Sequence, residues 1–373
     1  MVDKRIIETV KKLDSKAKHV HSQSMAFRYG YDYSFLASLL ESLGIDDIKL
    51  REDMMHLIPE ELYENMNIYI DDLGILAEKV IKMYKRCNFY CYLRYGNTSL
   101  SAKDKSSILK EYLLEKMPWA YNLYKDLLRD GHVFLVDSCV DYGAAFLMPL
   151  IDEYYMTIDR HSQNDLSDIE TTIHELMHIF IAKLAYSYSW DNHHNIISGF
   201  SKESASLYST LSFFDFCMEH HICLDDALLN RNMADDDILN FFKDINYFYE
   251  MAVRRDKEVS ISEGVNYKFD EAYKMEEDEG VAFFRYSATE CSEGSFNTFL
   301  YGIGYVEAFD LLRKEREGRD PRKVLNDFVL EHQNRSVNPD VFKINLDFMA
   351  KEIRSHQKSL EKKYPIPGYY VLK

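Results

Sequence analysis

The sequence predicts a mainly α-helical protein with a small β-sheet beside one central helix, on three observations. Breakers are scarce, with only 14 Gly and 7 Pro among 373 residues, about half the usual share of roughly 12% for the two together. Turns consume both residues, so the composition disfavours a protein of many short strands and tight hairpins and excludes collagen-like and Gly/Pro-rich disordered chains. Apolar residues recur at three- and four-residue spacing over long stretches. That spacing gives way after His132 to short runs of β-branched and aromatic residues, and then returns. With 28 Tyr, 22 Phe and 46% hydrophobic residues, the chain can bury a large core.

Helical spacing covers Ile6–Leu13, Phe35–Leu43, Glu60–Tyr84 and Ser106–Leu128, so residues 1–130 read as a helical region. His132 to Asp137 reads as a strand, and Leu147 to Ile158 as one or two more, with Pro149 placing them at a sheet edge. Asp159 to Leu166 is polar and loop-like. Ser167-Asp168-Ile169-Glu170 then has the form of a capping box, with Ser167 as N-cap and Glu170 reaching back to it. The helix it opens runs to about Tyr188, with Ile169, Ile173, Leu176, Phe180 and Leu184 on one buried face. A loop from Trp190 to Gly199 leads to a second helix, from about Ser201 to Glu219. Further helices follow, broken by the acidic run Glu276-Glu277-Asp278-Glu279. Residues 131–373 thus form a second region, expected to make one compact unit with the first.

The charge balance narrows the partners. Forty-five Lys and Arg against 62 Asp and Glu leave a net charge of −17. Nucleic-acid binders neutralise phosphates with a basic face, and none is visible here. The short basic clusters, Arg254-Arg255 and Arg313 to Lys323, read as a solvated helix end and loop. Met1 to Lys18 has no apolar h-region, and Ala144–Ile151 and Ile179–Ala185 are too short to span a bilayer. A soluble, cytoplasmic protein without a membrane partner is expected. The six cysteines (Cys87, Cys91, Cys139, Cys217, Cys223 and Cys291) lack the spacing of a disulfide framework and read as free, buried thiols. Cys87 and Cys91 could share a helix face and bind metal, but no second Cys/His pair lies near them.

The chemistry concentrates in the capped helix, at His174-Glu175-Leu176-Met177-His178. Residues four apart on a helix point the same way, so two imidazoles on adjacent turns can reach one ion. Glu175, next to the first histidine, then stands beside the ion's open position and can move protons there. Zinc in a catalytic site takes three protein ligands. Between His178 and Glu219 the only acids are Asp191, Glu203 and Asp215. Glu203 is the best candidate, because it lies in the first turn of the next helix, which an antiparallel pair would bring beside the histidines. Asp191, His193 and His194 on the intervening loop are the competitors.

With these residues in view, the chain resembles the thimet oligopeptidase and oligoendopeptidase F family of zinc peptidases. The likeness rests on His174-Glu-Leu-Met-His178 followed by Glu203, with Asp168-Ile-Glu-Thr-Thr-Ile173 before it and Glu203-Ser-Ala-Ser206 through Phe213-Phe214-Asp215 after it. Gly143-Ala144 is similar to a pair preceding the family's edge strand, and Tyr301-Gly-Ile-Gly304-Tyr305 with Ala308 to its Tyr-x-x-Gly segment. The resemblance spans roughly Gly143 to Leu312 in a chain much shorter than typical members, so much of the family's N-terminal lobe is expected to be reduced or absent. It implies a helical two-lobed shell around a channel, one Zn2+ per chain, short peptide substrates, and a role for Tyr301 or Tyr305 in steadying an oxyanion. In a chain with 28 tyrosines, core or channel lining is the plain alternative for either.

The chain also departs from the family pattern. Met177 stands where the family has Gly, and Thr210 where it commonly has an acid that orients a zinc histidine. Cys291, Gly294 and Asn297 stand where the family's substrate-holding His and Tyr residues are expected. Two functions are therefore weighed: a zinc endopeptidase using Glu175 as general base and then acid, and a divergent member that binds a peptide or protein without turnover.

Overall fold

The computed structural model describes residues 4–17, 35–43, 63–68, 70–92, 98–136, 143–148, 151–159, 166–188, 199–253, 275–278, 281–287, 295–332 and 339–364. The chain begins with helices α1 (Lys4–Ala17) and α2 (35–42), strand β1 (Tyr63–Ile68) and helix α3 (Ile70–Arg86). Helices α4 (Ala102–Lys116) and α5 (Pro118–Asp130) lead into strands β2 (Val133–Val136), β3 (Gly143–Met148) and β4 (Glu153–Asp159). Three long helices follow: α6 (Leu166–Tyr188), α7 (Gly199–Glu219) and α8 (Leu224–Val253). Strands β5 (Met275–Asp278) and β6 (Val281–Ser287) precede α9 (Ser295–Arg316), α10 (Pro321–Glu331), a 3-10 turn (Pro339–Lys343) and α11 (Asp347–Lys363). The protein is mostly helical with little sheet, as the shortage of breakers predicts.

Local boundaries differ from the sequence expectation at four places. The segment expected as one helix over 60–84 is strand β1 followed by α3, because β1 finds an antiparallel partner in β6, more than 200 residues away (Tyr63↔Ser287). Local spacing carries no trace of such pairing. The helix expected over 106–128 breaks at Met117: Pro118 occupies the first turn of α5, where its missing N–H costs nothing. Ser101 caps the preceding helix, its side chain accepting from the Asp104 N–H. The acidic run expected to break helices lies partly in β5, which pairs with β6. Finally, α6 opens at Leu166, so Ser167 sits inside the first turn and is not its N-cap.

The sheet that bears on the site has the order β2-β4-β3, with β2 parallel and β3 antiparallel to β4. Strand β3 is therefore an edge. Side chains alternate across the sheet as period two requires. Phe146, Met148 and Tyr155 meet Ile6, Val10 and Leu13 of α1 and Leu36, Leu39 and Leu40 of α2. Leu147, Tyr154, Met156 and Ile158 join the main core with Ile169, Ile173 and Leu176 of α6. The Thr9 hydroxyl meets the Tyr155 hydroxyl at 2.5 Å, tying α1 to the sheet.

Beyond α6 the helices stack in sequence, α6 on α7 and α7 on both α8 and α9. One apolar cluster runs from Leu73 of α3 through Tyr112, Tyr208 and Phe309 to Ile353 of α11. No described helix is long and apolar enough to cross a membrane. Cys87, Cys91, Cys217 and Cys223 are free, with Cys87 and Cys217 buried and the other two partly so. Burial pushes the Cys91 thiol up to about 12, which keeps it protonated. Because α3 ends at Arg86, Cys87 and Cys91 do not share a helix face.

Candidate metal centre

Helix α6 carries His174 and His178 on successive turns, and α7 begins close enough to present Glu203 to both. The three donor groups converge. His174 Nε2 lies 3.1 Å from His178 Nε2 and 3.4 Å from Glu203 Oε2, and His178 Nε2 lies 3.5 Å from Glu203 Oε1. Metal bonds of about 2.0–2.1 Å arranged tetrahedrally separate their donor atoms by about 3.3–3.4 Å. The two imidazole nitrogens and the Glu203 carboxylate, which turns one oxygen to each, thus stand about as far apart as ligands of one ion, and all three side chains are largely buried. Two imidazole nitrogens and a carboxylate oxygen are donors that suit a divalent cation.

Each group is held from behind. Met177, at the position where the resembled family has Gly, is 1% exposed and packs in the main core. Gly304 of α9 lets that helix close on α7. A Cβ there would stand 3.3 Å from the Ser204 backbone nitrogen and 3.4 Å from the Glu203 Cβ. The Ser204 hydroxyl donates to Glu307 Oε2 at 2.5 Å, and His332 Nε2 donates to the other Glu307 oxygen at 3.0 Å. His332 Nδ1 meets the Phe328 carbonyl at 2.7 Å. Both His332 partners are acceptors, so both ring nitrogens carry hydrogen.

Glu175 is buried, and burial raises its carboxyl to about 7, with the neighbouring Glu203 and Glu170 charges pushing the same way and His174 opposing. The Ala145 backbone N–H of edge strand β3 hydrogen-bonds to it. Gly143 of the same strand makes this approach feasible, since a Cβ there would lie 3.2 Å from the Glu175 Cγ and 2.6 Å from the Thr171 Cγ2. For His174 burial works against the charged form, yet the Glu203 hydrogen bond and charge outweigh it and raise the imidazole to about 9.

Tyr301 and Tyr305 flank the centre from α9, stacked against Phe241 with ring centroids 5.9 Å and 6.4 Å away. The Glu203 charge, then burial, then Glu175 hold the Tyr301 phenol far above its ordinary value. It therefore keeps its proton beside Glu203. Tyr305, 7% exposed, is raised first by burial and then by Glu170. The competitors Asp191, His193 and His194 lie outside the described residues, as do Cys291 and Gly294, and the Asn297 side chain is not among those described.

Two features of the site escape sequence reading. Thr210, where the resembled family commonly has an acid, donates its hydroxyl to Glu170 Oε1 at 2.9 Å. Glu170, expected to cap its own helix, thus bonds to α7. The second feature is a buried network at the far end of α7. Arg316 Nη2 lies 2.6 Å from Asp215 Oδ2 and 3.2 Å from Glu352 Oε2, with His356 Nε2 3.8 Å from Asp215 Oδ1. Asp215, Glu352 and His356 also cluster closely enough to suggest a metal. A guanidinium already bonded to both carboxylates opposes a second cation there, so this network is read as a strut. Helical i,i+4 arithmetic would find the Glu170–His174–His178 row; nothing local announces the Arg316 strut.

Comparison with family models, with curated proteins and with solved structures finds no match to this chain.

Proposed function

We propose that this protein is a zinc-dependent endopeptidase acting on short peptides, a shortened member of the thimet oligopeptidase and oligoendopeptidase F family, at work in the cytoplasm without nucleic-acid or membrane partners. The observation that carries the reading is the convergence of His174, His178 and Glu203 to donor separations of 3.1–3.5 Å with Glu175 next in sequence to His174. A zinc ion held by those three side chains would act as Lewis acid and acidify a water at its open position. Glu175, raised to about 7, would accept a proton from the attacking water near neutral pH and hand it to the leaving amine. The Ala145 N–H keeps the Glu175 carboxylate oriented while it does so. Tyr301, protonated throughout the working range, would donate a hydrogen bond to the oxyanion of the tetrahedral intermediate. In this reading residues 1–130 are the reduced lobe of a two-lobed shell, and residues 131–373 carry the catalytic region.

The second reading, a peptide- or protein-binding member without turnover, is favoured by Cys291, Gly294 and Asn297 at the positions of the family's substrate-holding residues. A quenched-fluorescent peptide library separates the two. The endopeptidase reading expects zinc-dependent cleavage by the wild type and a loss of at least about two orders of magnitude in Glu175→Gln. A zinc-loaded wild type that cleaves no peptide, or cleaves as well with Gln at 175, sinks it.

A further inference from the structure

The row of acidic and basic side chains on α6 does not end with the two histidines. Glu170 lies one turn before His174, as His174 lies one turn before His178, so the three share one helix face. On α7, Thr210 lies seven residues after Glu203, two turns on and again on one face. The pairs meet crosswise: Glu203 faces the histidines, and Thr210 meets Glu170. From Glu203 to Thr210 is about 10 Å of helix, and from the middle of the histidine pair back to Glu170 about 9 Å. Two antiparallel helices with matching intervals are thereby joined by two rungs, one holding the metal donors and one a hydrogen bond.

The second rung is polar in apolar surroundings. Thr210 is 2% exposed, with Leu207, Leu211, Phe213 and Phe214 of the same helix all in the core. A buried hydroxyl must find a partner, and this one donates to a carboxylate, a stronger bond than one between neutral groups. A valine would fill the same volume, so packing alone gives no reason for the hydroxyl. The Glu170 charge also acts on His174, Glu175, Tyr301 and Tyr305, raising each. Its carboxylate therefore adds negative potential where a cation would sit.

We propose that Glu170, tethered by Thr210, is a positioning residue of the metal centre, fixing the register of the two ligand-bearing helices and favouring the cation through its charge. This rests on the metal-site reading above but not on turnover. Side chains behind metal ligands commonly control affinity by about 10–100-fold.

The test measures zinc affinity by competition with a chromophoric chelator, in the full chain, alongside thermal unfolding of the metal-free protein. Glu170→Gln keeps the shape and an acceptor oxygen but removes the charge, Thr210→Val removes the tether, and Thr210→Ser restores it. Expected are losses of about 10-fold or more in Glu170→Gln and Thr210→Val, near-wild-type affinity in Thr210→Ser, and metal-free melting of Glu170→Gln close to wild type. Wild-type affinity in Glu170→Gln, or a loss in Thr210→Ser equal to that in Thr210→Val, overturns the proposal. A wild type that binds zinc but cleaves nothing sinks the peptidase reading alone, and the affinities of the variants still decide the role of Glu170. A wild type that takes up no zinc sinks both.

Discussion

At the scale of single residues, the centre is a contest between burial and charge. Burial disfavours every ionised group, yet His174 titrates upward, because Glu203 sits against it. In the metal-free protein His174 therefore holds its proton through neutral pH, and a metal must displace that proton to bind. Apparent zinc affinity is expected to rise about tenfold per pH unit from pH 7 toward about 9, and to level off above it. Chelator competition across that range checks the sign, and a flat profile contradicts it. The identities His174, Glu175 and His178 were legible in the sequence, because an i,i+4 pair fixes direction without tertiary information. Glu203 was legible as the acid in the first turn of the next helix. The partner of Glu170 was not, because a capping-box pattern and a long-range hydrogen bond use the same residue types.

At the scale of elements, edge strand β3 and helix α6 act as one device. Strand β3 brings the Ala145 N–H to Glu175, and Gly143 leaves room for the contact. Gly143→Ala places a methyl 2.6 Å from the Thr171 Cγ2 and 3.2 Å from the Glu175 Cγ, so these side chains or the strand must shift. Strain from such overpacking costs about 1–3 kcal/mol. A fall in kcat of about tenfold or more is expected, with zinc content unchanged, since the histidines and Glu203 lie off the strand. Steady-state kinetics with a metal assay checks it, and unchanged kcat would show that Glu175 does not depend on the strand. The long helices α6 and α7 were legible because their apolar spacing runs for five or more turns. Strand β1 was not, since its pairing with β6 leaves no local signal.

At the scale of the molecule, α7 is pinned at both ends, and this is what keeps Glu203 opposite the histidines. Near Glu203 it is held by Ser204–Glu307–His332 and the close approach of Gly304. At its far end Arg316 of α9 holds Asp215 and reaches Glu352 of α11 as well. Asp215 and Glu352 are nearly buried, whereas the Arg316 head is 40% exposed. Arg316→Ala thus removes the cation paired with both carboxylates, at a cost on the order of 2 kcal/mol after allowing for solvent screening of the guanidinium. Denaturant unfolding should show that loss; wild-type stability would mean that the strut carries no load. The shortage of Gly and Pro foretold a helical frame, but not which helices brace which, because bracing is set by side chains far apart in the chain.

The central claim is a metal centre built from two helices, and metal content tests it most directly. After dialysis against zinc and removal of loosely bound ions, the wild type is predicted to keep one zinc per chain. His178→Ala and Glu203→Ala, each still folded, are predicted to keep far less than one. Full zinc retention in Glu203→Ala, or none in the wild type, would contradict the account.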